Sequence, residues 1–371
     1  MACGFKDGRT RTRESVRNVI TEDPVSASMA AQPLILRPLG FMLRTTALLR
    51  RRAVDLLQSR EFGRTLLYDI ENRGTFEDFS CHEAMIADNV RMKNYHDAIM
   101  RYINPGDVVV DLGTGTGVLS FFAAERDPKK IYAIDHSDLM ITIARTIADA
   151  NGIENVLFVP QNSRSFEPDE KVDVILHEQM GSNLIDENMI ENILDLKRRV
   201  LKSTGRVLPG KFELFLEPIC LKEEYRVPHL WENTVYGIDF NCLKGCSEYN
   251  DRSKPPKLKI EHASVDYFLC DPEPILSFDL NAMHDPGEIP RTIETTKSVV
   301  RSGEMDGLCL YFKVIFDDEI WFDTSPLSPR THWDHPLFRT EGRAYRRGDE
   351  ISLKVTMEVP TRRETWSVSV A

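Results

Sequence analysis

No stretch of 18 uncharged apolar residues occurs in the 371-residue sequence, which excludes a hydrophobic membrane-spanning helix. Cysteine is sparse and scattered. Of seven, only Cys242 and Cys246 stand close together, and no second cysteine pair or histidine pair completes a metal site. Metal catalysis is therefore not expected, and the thiols read as reduced, in a cytoplasmic protein. The dinucleotide fingerprint G-x-G-x-x-G is missing, as is any internal repeat. Positive charge is short beyond the first segment. Residues 1–64 sum to +6 and the remainder to −17, for a net charge of −11. An acidic body suits a cationic acceptor and argues against nucleic acid as a partner.

What is present suits a soluble globular enzyme. Hydrophobic residues make up 42% and charged residues 28% of the chain, enough for a sizeable core in one large domain or roughly two. Residues 1–38 are polar and without sustained periodicity, so they are expected to be mobile. Glu14, Glu22 and Asp23 argue against a transit peptide. Residues 41–62 have apolar positions at helical spacing, interrupted by Arg50-Arg51-Arg52. They read as an amphipathic helix on the body or a partner chain, with a membrane-surface helix as the alternative. Residues 1–64 thus form a first segment.

The rest is organised around Asp107-Val-Val-Val-Asp-Leu-Gly-Thr-Gly-Thr-Gly-Val-Leu-Ser120. A β-branched run ends at Asp111. Gly113, Gly115 and Gly117 follow at every second position, and a helical pattern starts at Val118. A strand, a glycine turn and a helix in that order make a cofactor cradle in an α/β protein. Lys130–Asp135 reads as the next strand. Asp135 lies 22 residues after Gly113, near the ~20 expected for a carboxylate on ribose hydroxyls. Alternatively it caps a helix beginning near Ser137.

Alternation continues with a helix over 139–150 and strands over 155–159 and 171–176. Directly after the last comes His177-Glu-Gln-Met-Gly-Ser-Asn-Leu-Ile-Asp-Glu187, a loop flanked by Glu178 and Glu187 on the side where such sheets bind ligands. A helix over 189–201 is expected to close at Gly205, and Pro209-Gly210 to mark a boundary. Upstream, Ser80 reads as the N-cap of a helix that continues to Tyr102, with Asp88 and Arg91 on one face. Two domains follow: an α/β domain over 65–208, then a largely antiparallel β domain over 209–371 with an irregular insertion at about 228–250. Expected strands of the second domain are 212–216, 257–260, 275–280, 295–300, 307–316 and 351–357.

Three motifs in order give a resemblance. D-L-G-T-G-T-G resembles motif I of S-adenosylmethionine-dependent methyltransferases. H-E-Q-M-G-S-N-L-I-D-E-N-M at 177–189 resembles the double-Glu loop of the protein arginine methyltransferases, and Thr331-His332-Trp333 resembles their Thr-His-Trp loop. The resemblance runs from about residue 70 to the C-terminus. It implies a Rossmann-like domain followed by a β-barrel with an inserted dimerisation arm, S-adenosylmethionine as cofactor, no metal, and a homodimer. It implies that Glu178 and Glu187 hold the acceptor, with His332 and Asp88 pairing to join barrel and lid and to handle a proton. His82, Arg91, Asp111, Gly113, Gly115, Asp135 and Ser163 then fall on the cofactor side. Met85, Met189 and Trp333 fall on the acceptor side.

The double glutamate makes chemical sense. A guanidinium is planar and always charged, and two carboxylates can clamp it by bidentate bonds and hold one nitrogen in line with a methyl group. The chain departs from the family at Asn72–Phe76, where two tyrosines are usual. It departs again at Asn162-Ser163, at Gln179 in place of tryptophan and at Ser182 in place of tyrosine. Fewer aromatics at the acceptor mouth leave two acceptors open, arginine in a polypeptide or free arginine. A catalytically silent binding subunit is the second class of reading. A nicotinamide oxidoreductase is disfavoured by the glycine spacing.

Overall fold

Val108-Val-Val-Asp-Leu112 is apolar at successive rather than alternate positions, the pattern of a strand covered on both faces. It forms β1 (Val108–Leu112), and all five of its residues are buried. The computed structural model describes residues 74, 76–226, 234–245 and 257–371. The expected mobile N-terminus, the helix over 41–62, and the insertion at 228–233 and 246–250 lie outside the described residues.

Around β1 stand β2 (Lys130–Asp135), β3 (Val156–Pro160), β4 (Val172–His177) and β5 (Leu201–Leu208), all parallel, in the order β3-β2-β1-β4-β5. The helices are α1 (Phe79–Ala87), α2 (Asn89–Tyr102), α3 (Val118–Ala124), α4 (Asp138–Asn151) and α5 (Met189–Val200). The chain thus crosses from β1 to β2 and from β2 to β3 on one side, then returns to place β4 against β1. That reversal opens the ligand crevice at the C-terminal ends of β1 and β4.

Three local expectations are corrected. Asp78, not Ser80, caps α1, accepting from the Ser80 N–H. The helix also stops at Asp88, which takes an extended backbone and becomes the N-cap of α2, so Asp88 and Arg91 do not share a helix face. Gly205 does not close α5 but lies inside β5, next to a register shift between Val172 and Val174. A Cβ there would stand 2.8 Å from the Asp173 carbonyl oxygen. Glycine lets the irregular pair approach.

The chain then turns antiparallel. One sheet runs β10 (Val265–Phe268), β6 (Lys211–Leu221), β13 (Gly303–Ile315), β15 (His335–Tyr345), β9 (Lys257–Ile260), with β11 (Pro274–Asp279) also on β6 and β14 (Trp321–Asp323) also on β13. A second runs β12 (Thr292–Ser298), β16 (Glu350–Met357), β17 (Trp366–Val370). Together they form the β-barrel domain. Strands β10, β14, β15 and β17 were not expected. In β15 the run Arg339-Thr-Glu-Gly-Arg343 has no apolar alternation, and its ladder is supplied by β13 and β9. Lys297 of β12 and Glu217 of β6, both buried, tie the two sheets at 2.6 Å. One apolar cluster joins the domains, from Val109 and Ile175 through Phe212 and Leu310 to Leu353.

Within the insertion, β7 (Thr234–Val235) and β8 (Ile238–Asp239) make a two-residue hairpin. Tyr236 and Gly237 both have positive φ, 50° and 82°. A tight hairpin of this kind matches the right-handed twist of its strands.

Candidate active site

The glycine turn is built from below by Asp111. Its carboxylate is fully buried and accepts from Thr114 Oγ1 at 2.7 Å, Ser120 Oγ at 2.7 Å and the Ser120 N–H at 3.1 Å. Burial pushes its proton affinity up, and these bonds partly offset that. The three glycines have φ of 73°, 54° and 89°, which side chains rarely adopt. A Cβ on Gly115 would also meet His82 Cε1 at 2.9 Å, and one on Gly117 would meet Phe121 at 2.5 Å. His82 is held in place by Nε2 donating to the Phe76 carbonyl at 2.8 Å.

A cavity opens above this turn. Its walls include His82, Met85, Arg91, Gly113, Asp135 and Glu178, together with Gln179 and Glu187. At one end stands Asp135, at the tip of β2. Its two oxygens accept from the Gly115 N–H at 3.0 Å and the Ser137 N–H at 2.9 Å. The cap of α4 is Ser137, whose side chain accepts from Met140 N–H. Asp135 therefore both faces the cavity and shapes the turn, while the helix is capped by its neighbour.

At the other end, β4 delivers Glu178. Arg91, 4% exposed, donates from Nη2 to Glu178 Oε2 at 3.0 Å and from Nη1 to the Met85 carbonyl at 3.2 Å. The resemblance places Arg91 on the cofactor side; the fold also makes it the counter-ion of Glu178. Glu187 has no ion pair among the described residues. It sits at φ 61° between Asp186 and Asn188, itself at φ 52°. Burial, then the charges of Asp186 and Glu178, hold its carboxyl well above the usual range. Asp186, missed by sequence reasoning, folds back over Gly181, whose missing side chain leaves the space. Burial pushes Asp186 up to about 6, against the opposing pull of nearby backbone N–H groups and Arg363. The only sequence signal for it was a third acid in a loop already carrying two.

The barrel closes the site from the other side. Asp88 Oδ1 caps Arg91 N–H at 3.0 Å, and Oδ2 accepts from both the backbone N–H and Nδ1 of His332, each at 2.9 Å. Burial pushes Asp88 up, but the His332 and Arg91 bonds outweigh it and hold its carboxyl below the usual range. Trp333 Nε1 donates to the Met180 carbonyl at 2.6 Å, inside the double-Glu loop.

Six expected site residues lie outside the lining of this cavity; two of them, Asp88 and His332, meet where lid and barrel join, and His332 borders a separate pocket with Thr331 and Trp333. Asp111 is sealed beneath the turn rather than in the cavity wall. Met189 is wholly buried at the start of α5. Trp333 packs between Phe312 and Phe322 as a core ring, and steadies the loop instead of walling the cavity. Ser163 lies outside the cavity lining, in a short turn whose carbonyl is taken by Arg199 Nη2 at 2.7 Å. Met189 and Trp333 are turned inward by packing against residues distant in sequence, whereas Asp111 is held by its near neighbours Thr114 and Ser120.

The cavity fits S-adenosylmethionine by one test in its own atoms. Arg91 Nε is buried at its end without a hydrogen-bond partner among the described residues, and a carboxylate would satisfy it. A parallel sheet, a glycine turn and an acid at the end of β2 define an α/β fold that binds a nucleoside cofactor, and the family match makes the class that of the methyltransferases. Residues 103–247 match a methyltransferase domain and residues 211–370 match an arginine methyltransferase oligomerization subdomain. Protein arginine N-methyltransferase 2 of Xenopus tropicalis is 31% identical over 316 residues, covering 80% of this chain and 70% of that protein. Protein arginine N-methyltransferase 6 of the same frog is 31% identical, covering 76% and 84%. The fold is similar to the Trypanosoma brucei PRMT1 enzyme–prozyme heterotetrameric complex with AdoHcy, at TM-score 0.66 and 27% identity over 76% of this chain and 89% of that one. It is also similar to Arabidopsis thaliana protein arginine methyltransferase 10, at TM-score 0.64 and 22% identity over 76% and 88%. The chain belongs to the protein arginine methyltransferase family, and its cofactor is S-adenosylmethionine.

Proposed function

We propose that this chain is an active enzyme that methylates a guanidinium nitrogen of arginine. The observation that carries the reading is Glu178 and Glu187 on one loop, lining the cavity that begins at the glycine turn. When bound, S-adenosylmethionine supplies an electrophilic methyl group and a thioether leaving group. Glu187, which has no ion pair among the described residues, takes the acceptor guanidinium by paired hydrogen bonds. Glu178, held by Arg91 through Oε2, offers its other oxygen to the same acceptor. The two carboxylates hold one nitrogen in line and draw positive charge away from it. His332, oriented by Asp88, takes up the proton which that nitrogen loses.

Peptide-bound arginine is supported by the relatives. Free arginine is supported by the loop itself, since residues 178–188 contain no aromatic side chain to sort polypeptides. Methyl transfer from labelled cofactor to free arginine, compared with Arg-Gly-rich peptides and read by mass spectrometry, separates the two. Cofactor binding without turnover on any guanidine would leave only the binding-subunit reading. We further propose a homodimer through the insertion, because Tyr236 and Ile238 present bare apolar surface at the hairpin tip.

A further inference from the structure

Beside Glu178 in the cavity wall, two buried polar atoms lack hydrogen-bond partners among the described residues. One is Arg91 Nε, a donor; the other is Gln179 Oε1, an acceptor. Both side chains line the same cavity, beside Gly113 and Glu178. The Gln179 amide lies against the turn, with Nε2 3.7 Å from where a Cβ on Gly113 would stand. Buried polar atoms left alone are destabilising, and a native chain normally satisfies them. The remaining nitrogens of Arg91 do not call for a ligand, since Glu178 and the Met85 carbonyl occupy them. What is left is one donor and one acceptor at one end of a cavity.

The amino-acid tail of S-adenosylmethionine is their complement. It is a zwitterion, with one carboxylate that only accepts and one ammonium that only donates. We propose that Gln179 is a cofactor-binding residue whose amide oxygen accepts from the α-ammonium of that tail, while Arg91 Nε–H serves the carboxylate. A neutral amide does this without adding another negative charge beside Glu178 and Glu187. The inference rests on the cofactor and not on the identity of the acceptor, so its test uses no acceptor and stands or falls apart from the methyl-transfer assay.

Calorimetric titration of the full chain with three ligands decides it. They are S-adenosylhomocysteine, its analogue lacking the α-amino group, and 5′-methylthioadenosine, which lacks the whole tail. Wild type should hold S-adenosylhomocysteine about tenfold tighter than the deaminated analogue, the scale of one hydrogen bond to a charged group. In Gln179→Met, which keeps the shape and removes the acceptor, that preference should vanish, with methylthioadenosine affinity changed less than about twofold. Gln179→Glu should restore the preference. Equal affinity of wild type for S-adenosylhomocysteine and the deaminated analogue overturns the proposal, whether or not any variant folds. So does a preference that survives in Gln179→Met.

Discussion

Asp186 and Glu187 are adjacent carboxyls that repel each other in a site suited to a cation. Asp186 is raised to about 6 by burial, and Glu187 is raised by burial and by its acidic neighbours. For an acid raised on folding, the stabilising contribution is fully present below the unfolded pKa of ~4 and is lost as pH rises through the folded value. Asp186→Asn should therefore flatten the dependence of unfolding free energy on pH between about 4 and 6, as read by chemical denaturation. The same change removes one charge facing Glu187. Its other charged neighbours, Glu178 with Arg91, and Arg363 near Asp186, stay in place. The acidic limb of kcat/KM should then move to lower pH, and an unmoved limb would show that Asp186 does not set the charge of Glu187. Glu187→Gln should lower methyl transfer at least ~10²-fold, comparable to losing one preorganised charge-stabilising donor. Titration should find its cofactor affinity nearly unchanged; wild-type turnover in this variant would remove Glu187 from the clamp. At Asp135 the Gly115 and Ser137 amides each use one carboxylate oxygen, so Asn keeps one of the two acceptors and Ala keeps neither, and Asp135→Ala should perturb the turn more than Asp135→Asn.

Among elements, the glycine turn and the lid helices are interlocked. Gly115 has φ 54° and faces a His82 ring already tied to the Phe76 carbonyl. Gly115→Ala should cost roughly 1–3 kcal/mol of stability from the backbone alone. It should also weaken S-adenosylhomocysteine binding, since turn and His82 must separate; a normal melting temperature with normal affinity would contradict this. The break between α1 and α2 rests on Asp88, which caps one helix and holds the barrel by His332. Loss of an N-cap costs about 1 kcal/mol. Asp88→Ala should cost more in denaturant titration, because the half-buried His332 amide loses its acceptor as well. The break itself was illegible beforehand. The residues 79–102 read as one helix, and Asp88 leaves it with one oxygen capping the Arg91 N–H and the other bonded to His332 of the barrel.

At the scale of the whole molecule, the hairpin of the insertion presents a fully exposed tyrosine in a left-handed backbone conformation. Asparagine suits that conformation better than tyrosine. Tyr236→Asn should leave the hairpin no less stable while removing its apolar tip. Light scattering at micromolar concentration should report dimers for wild type and a shift toward monomer for the variant, since a stable interface has to bury about 1,000 Å² or more. A monomeric wild type with full activity would end the homodimer reading.

Features written in contiguous residues could be read before any fold was known. The apolar run of β1, three glycines at alternate positions and an acid at the end of β2 are consequences of local geometry, so the cradle followed from them, while the order of the parallel strands and the existence of β5 did not. The chemistry of two glutamates on one loop was legible for the same reason. The pair of His332 with Asp88, across 244 positions, was already implied by the resemblance, whereas only the tertiary structure paired Arg91 with Glu178, across 87. It also turned Trp333 into the core and Ser163 away from the cavity, and gave β15 a ladder that its own pattern does not announce. Backbone periodicity is a property of neighbours in sequence, whereas side-chain direction and ion pairing depend on which distant surfaces exclude water together.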